Sequence, residues 1–255
     1  MANPSHESAA QFLLAARKRG TPGPRIPAEF RPADTEDGLA IQARMTALVG
    51  QPVGGYKCAL PSGARPVLMA PIFAPTIAHA STCPVAAVGA TVRIEPEIAF
   101  VMARDLPSRA ASYSESEIND AIQEARLALE ILGSRFSNPD SATFPELLAD
   151  GLANQGLLVG PVVSDEWNRE LESLQIIIDS ASGLVANHDG KHPDVHPVRP
   201  LYWLANYLAD RGTPLRAGMI VTTGSYCGAV DVPLDTPLTV DYGGLGTLSA
   251  TLTRA

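Results

Sequence analysis

Residues 93–101 read RIEPEIAFV, two glutamates one proline apart in an otherwise apolar run. In an extended strand, residues two apart share a face. Glu95 and Glu97 then stand together with Arg93, Ala99 and Val101, while Val92, Ile94, Pro96, Ile98, Phe100 and Met102 form the opposite, apolar face. The same alternation fits an amphipathic strand with one solvated side. Two features point away from that: the acidic face runs on into Ala99, Val101 and Ala103, and Pro96 removes a ladder donor, as at a strand edge or an irregularity near a site. Paired carboxylates in a partly buried place repel, and one keeps its proton unless a cation lies between them. A hard divalent ion such as Mg²⁺ or Mn²⁺, which takes oxygen ligands, resolves the conflict. A third acid, Glu130, sits among Leu127, Leu129, Ile131 and Leu132, where a lone charge is costly; it also fits a helix-end glutamate on a wet side.

The elements that must carry these residues follow from periodicity and punctuation. SAAQFLLAARKRG and TEDGLAIQARMTALVG read as helices that begin near Ser or Thr and stop at Gly. Residues 52–91 are broken by Pro and Gly and read as loops and short strands, a lid or rim rather than a packed layer. A strand at 92–103 is followed by a predicted helix at SESEINDAIQEARLALE and a strand at QGLLVGPVV. The last third is strand-rich, with one helix at RPLYWLANYLADRG whose Tyr202, Trp203 and Tyr207 serve packing. His188, His192 and His196 fall among Asn, Asp, Gly and Pro, so they read as a flexible hairpin loop rather than a metal cluster.

Composition narrows the function classes. The 255 residues are 45% hydrophobic, enough for a substantial core, and the 21 Gly and 22 Pro without a repeat suit a mixed α+β chain. We expect one domain over 1–255, with a helical segment at 1–50 and a β-rich catalytic region at 51–255. A net charge of −8 and no basic run leave nothing for nucleic acid to settle on. No dinucleotide or P-loop glycine motif precedes a helix. Cys58, Cys83 and Cys227 lack zinc-site spacing and read as free thiols. The N-terminal residues do not read as a signal peptide and no apolar window is long enough for a membrane span, so a soluble cytoplasmic protein is expected.

GYK at 55–57, EPEIAFV at 95–101, ALEILGSRF at 128–136, LADGLANQGLLVG at 148–160, LYWLANYLADRGTPLRAGMIVTTGS at 201–225 and YGGLGTLSATL at 242–252 together resemble the 2-keto-4-pentenoate hydratase and 4-oxalocrotonate decarboxylase family of the fumarylacetoacetate hydrolase superfamily. The resemblance covers nearly the whole chain in order and spacing. It implies a rolled or barrel-like mixed sheet with flanking helices, with Mg²⁺ or Mn²⁺ held by Glu95, Glu97 and Glu130. It implies further that Lys57, by itself readable as a surface lysine, assists proton transfer. Asp150 and Ser225 lie in segments that line the family's substrate pocket.

Three carboxylates around a divalent ion leave −1, which the Lys57 ammonium offsets, so a small 2-oxo acid could chelate through its carboxylate and C2 oxygen. The charge developing at that oxygen would be stabilised by the metal. A Lys57 with its pKa lowered by partial burial would shuttle a proton at C3 or C5. The activity implied is hydration of a 2-hydroxypenta-2,4-dienoate in aromatic catabolism. The alternatives are a 2-oxo acid decarboxylase, an acylpyruvate-type C–C hydrolase and a non-catalytic stabilising partner. A homo-oligomer, and association with a partner enzyme of the same pathway, are also implied. The chain departs from the family pattern at Gly133, where Asp is usual, at Gly151, where Asn is usual, and at 70–80, which lacks an acid; His79 lies close to that last gap.

Overall fold

The computed structural model describes residues 4–63, 65–163, 167 and 170–255. Two helices come first, α1 (Pro4–Arg19) and α2 (Thr35–Val49). α1 buries Ala9, Ala10, Leu13 and Ala16, a stripe at helical spacing, and ends in Arg17, Lys18 and Arg19, whose charges suit the negative end of the helix dipole. α2 is capped by Asp34, whose side chain accepts from the Asp37 N–H, and stops at Gly50 in the left-handed conformation. Both helices pack on Ile26, Phe73, Phe136 and Ala149.

Residues 52–91 do not form a rim. They supply β1 (Val53–Ala59), β2 (Leu68–Phe73), β3 (Ile77–Ala78) and β4 (Thr82–Val85), and the first three join the main sheet. Their prolines and glycines interrupt the periodicity without preventing ladder formation, because β1 pairs with β2 through a register shift between Val53 and Gly55. β5 (Thr91–Met102) is the expected acid-bearing strand. The helix predicted after it shrinks to α3 (Glu115–Asn119), and Ile122–Leu132 forms β6 instead. Ala, Leu, Glu and Arg in QEARLALE favour a helix locally, but pairing on both sides, with β5 and with β7, overrides that preference.

α4 (Phe144–Ala149), β7 (Asn154–Val163), β8 (Ser173–Ser180), β9 (Gly183–Lys191), α5 (Val198–Asp210), β10 (Ile220–Ser225), β11 (Val230–Pro233), β12 (Pro237–Asp241) and β13 (Thr247–Arg254) complete the order. The main mixed sheet runs β2-β1-β10-β5-β6-β7-β3 with β11 also on β5, and contact between β2 and β7 rolls it towards closure. A second sheet, β4-β13-β12-β8-β9, packs against it. Leu127 and Leu129 of β6, Ile176 and Ile178 of β8, Val240 of β12 and Leu201 and Leu204 of α5 share one core between them. The mixed α+β roll with flanking helices is therefore as expected. Among the described residues no helix is long and apolar enough to cross a membrane.

The histidine segment differs from expectation. Residues 187–191 are the end of β9, and His192 is 1% exposed, edge-on to Tyr226. Burial, reinforced by His196, pushes its pKa down to about 4. Asn187, Asp189 and Gly190, which suggested a loop, lie within the strand and pair with β8, and only Pro193, Asp194 and Pro197 belong to the bend after it.

Candidate active site

The register of the main sheet decides which side chains meet. Glu95 on β5 pairs directly with Glu130 on β6, and Glu97 with Ala128. Across the other edge of β5, Ala99 pairs with Thr222 of β10, and Thr222 with Lys57 of β1. With a side-chain period of two, Glu95, Glu97, Glu130, Thr222 and Lys57 all point to one face, into the roll. Ala99 and Ala128 on that face are small and fully buried, which leaves room for the acids beside them.

Glu95, Glu97 and Glu130 each offer an oxygen within 4.8 Å of the others. Glu130 is 0% exposed and Glu97 2%, so Glu130 sits in the core and not on a wet helix end. One oxygen of each buried acid is held by the protein. Oε1 of Glu130 lies 2.6 Å from Lys57 Nζ and accepts from Asn154 Nδ2 at 2.9 Å. Oε2 of Glu97 accepts from the Thr222 hydroxyl and, at 2.8 Å, from the Gly224 N–H. Oε2 of Glu130 is buried with no hydrogen-bond partner among the described residues. A bare buried carboxylate oxygen is costly unless something positive meets it. Hard oxygens converging on one point are the donor set that Mg²⁺ or a similar divalent cation takes, so the residues fit such an ion.

The electrostatics give the same account. Burial, then Glu130 and Glu95, pushes the Glu97 pKa up to about 8 against the opposing pull of Lys57 and Thr222. Burial also raises Glu95, with Glu130 adding to it and Lys57 and Arg93 opposing. The lowered Lys57 pKa expected from burial is not found. Burial is the largest single influence and does work against its ammonium, but Glu130, Glu95 and Glu97 together outweigh it and hold the pKa above the ordinary lysine value.

These shifts set a pH dependence for the metal-free protein. The folded Glu97 pKa of about 8 lies above the ordinary 4.5, so between those values the native state holds more proton than the unfolded chain. The stabilisation is complete below the lower value and is lost as pH rises through the upper one. Thermal unfolding with a chelator present should therefore show the melting temperature falling from about pH 5 to about pH 8 on this account. Saturating Mg²⁺ should flatten the slope, and a metal-free midpoint that rises over that range would contradict the assignment.

Of the remaining sequence candidates, Ser225 pairs in register with Glu97 and donates to the Pro96 and Gly228 carbonyls at 3.0 and 3.2 Å. Asp150 does not join the acids. Its carboxylate takes the Arg135 guanidinium at 2.5 Å, both residues being nearly sealed from water. Arg135 also donates to the Asn154 carbonyl at 2.9 Å, so this pair braces the residue that holds Glu130. Asp150→Ala would strand the Arg135 cation and should destabilise the fold by about 3–5 kcal/mol, read by chemical denaturation.

The turn between them is strained. Gly151, Leu152 and Ala153 are consecutive left-handed residues, with φ of 75°, 52° and 61°. The strain aims the Leu152 carbonyl at Lys57 Nζ, 3.3 Å away. Sequence reasoning missed Asn154, Thr222 and Gly224; the only cue was their position inside segments already singled out. Beside the acids opens a cavity of about 990 Å³, lined by residues that include Arg17, Thr21, Phe73, Gly133, Ser134 and Leu152. The three acids are not among its lining residues; Leu152 links the two regions.

No family model matches the chain. It is 31% identical over 168 residues to the 2-oxo-hept-4-ene-1,7-dioate hydratase of Escherichia coli, a match that spans 62% of this chain and 60% of that one. It is 26% identical over 254 residues to 2-keto-4-pentenoate hydratase 2 of Dechloromonas aromatica (strain RCB), covering 96% of each. The structure of 4-oxalocrotonate decarboxylase from Pseudomonas putida G7, complexed with magnesium and adipate, shares the fold with a TM-score of 0.78 over 99% of this chain and 98% of that one, at 21% identity. The resemblance read from the motifs thus extends to sequence similarity along the chain and to the fold.

Proposed function

We propose that this relative of the 2-keto-4-pentenoate hydratases is a divalent-metal-dependent hydro-lyase that adds water to a 2-hydroxydienoic acid of the 2-hydroxypenta-2,4-dienoate type. The observation that carries the reading is the trio Glu95, Glu97 and Glu130, with a bare buried oxygen on Glu130 beside the Lys57 ammonium. The names of its relatives, hydratases in both sequence matches described above, support the reaction class. A divalent cation bound there, Mg²⁺ or Mn²⁺, would take the substrate carboxylate and C2 oxygen and stabilise the negative charge that develops on that oxygen.

The protein's own groups do the rest. Asn154 and Thr222 fix the orientation of Glu130 and Glu97, so the donor set is organised before any ligand arrives. Lys57 Nζ, held between Glu130 and the Leu152 carbonyl, is the proton carrier. A proton delivered to C5 of the dienol gives the 2-oxo-3-enoate. Water then adds at C4 with a proton to C3, giving the 4-hydroxy-2-oxo acid, so one water is consumed in all. Ser225, in register with Glu97, contributes to the substrate side, and Asp150 acts through Arg135. The chain works as a homo-oligomer in the cytoplasm, in association with a partner enzyme of its pathway.

The test is turnover of 2-hydroxypenta-2,4-dienoate with Mg²⁺ or Mn²⁺ and with a chelator. Loss of the dienoate absorbance with formation of the 4-hydroxy-2-oxo acid, abolished by chelation, is expected. Carbon dioxide release from a 2-oxo diacid without hydration would make the enzyme a decarboxylase. No turnover of any 2-oxo acid, with metal bound, would make it a non-catalytic partner.

A further inference from the structure

Arg17, in the last turn of α1, is a cation that the acid site does not use. Its guanidinium lines the cavity beside the acids, and among the described residues its one side-chain hydrogen bond is from Nη2 to the Asn154 carbonyl, at 3.3 Å. A guanidinium carries five N–H donors, so most of its fork is left for something else. The aromatic ring of Phe73 supports it from below at 5.6 Å.

The local charges do not balance. Two guanidiniums, Arg17 and Arg135, are close enough to oppose each other, and Asp150 is the carboxylate whose field reaches Arg17. Asp150 is already committed to Arg135 through its own oxygen and backbone carbonyl. Burial and the Arg135 charge accordingly push the Arg17 pKa down to about 10, with Asp150 opposing, yet the group stays cationic at neutral pH. A partly desolvated cation with free donors is completed by an anion, and a planar fork suits a carboxylate.

Position supplies the rest. The Asn154 whose carbonyl meets Arg17 is the residue whose side chain meets Glu130, so two hydrogen bonds and one asparagine separate the cation from the acid site. Gly151 borders the guanidinium: a Cβ there would stand 3.8 Å from Arg17 Nη2, in ordinary contact.

We infer that Arg17 anchors a second, distal carboxylate, so that among the 2-hydroxydienoic and 2-oxo acids the acid site takes, those carrying a further carboxylate are preferred over the monocarboxylic ones. This rests on the acid site holding the 2-oxo end, as proposed above. The experiment is calorimetric binding, in Mg²⁺, of 2-oxoadipate and of 2-oxohexanoate, which has the same chain length and one carboxylate fewer. The native protein should bind the diacid at least about tenfold more tightly, the scale of a charge-assisted pair. Arg17→Met should bring the diacid down to the affinity of the monoacid. Arg17→Gln, which keeps a polar amide but has no charge, should do the same and serves if Arg17→Met does not fold.

Equal affinities in the native protein, or a diacid advantage that survives both substitutions, would overturn the inference. Glu130→Gln separates this from the acid-site reading, because it should weaken both ligands. If it weakens neither while the Arg17 variants still erase the diacid advantage, the 2-oxo end lies elsewhere and the Arg17 contact stands.

Discussion

Glu130→Gln is expected to lower kcat by at least about 10³-fold and to weaken divalent-metal binding by a comparable factor. Loss of one ligand removes several kcal/mol of stabilisation at the developing charge, and about 4 kcal/mol corresponds to a thousandfold. Glu130 should matter most of the three acids because it is 0% exposed, carries the bare oxygen, and also holds Lys57. Glutamine is nearly isosteric, and its carbonyl can still accept from Asn154 Nδ2, so the loss should not come from unfolding. The readouts are kcat at saturating Mg²⁺ and metal affinity by calorimetry on the metal-free protein. Metal affinity equal to that of the native chain would show that the three acids are not the ligand set.

How far the sequence reveals this site depends on the range over which each interaction acts. Glu95 and Glu97 were legible because a two-residue period is local, and α1, α2 and α5 because their stripes and glycine stops are local too. Glu130 is legible as an oddity, an acid in an apolar run, but its neighbours read as a helix. The continuous apolar run around it was the signature of a central strand paired on both sides. Its helix-forming residues outweighed that signal until β5 and β7 were in place.

Lys57 had no signal of its own. It is a charge in a Gly-rich stretch, and only the resemblance marked it. Its place beside Glu130 comes from the pairing of β1 with β10 and of β10 with β5, between segments far apart in the chain. Thr222, Gly224 and Asn154 were illegible for the same reason: each is a common small polar or turn residue that matters through a distant partner. His192 shows the converse, since a turn-rich neighbourhood hid a buried side chain.

Lys57→Met should separate proton transfer from metal binding. The proposed carrier delivers and removes protons at C5 and C3, and loss of a positioned acid–base group lowers kcat by about 10²–10⁴-fold. Metal affinity should move the other way. Lys57 Nζ is 2.6 Å from Glu130 Oε1 and its charge opposes a second cation at the same carboxylates, so removing it should leave divalent binding as strong as before or stronger. The pattern is therefore opposite to that of Glu130→Gln, in which metal and turnover fall together. A third readout excludes a purely structural role: solvent deuterium should enter C3 of a bound 2-oxo acid in the native protein and fail to enter in Lys57→Met. If Lys57→Met instead kept full turnover on every 2-oxo acid the native chain accepts, the ammonium would be only a counter-charge that lets three carboxylates share the interior of the roll.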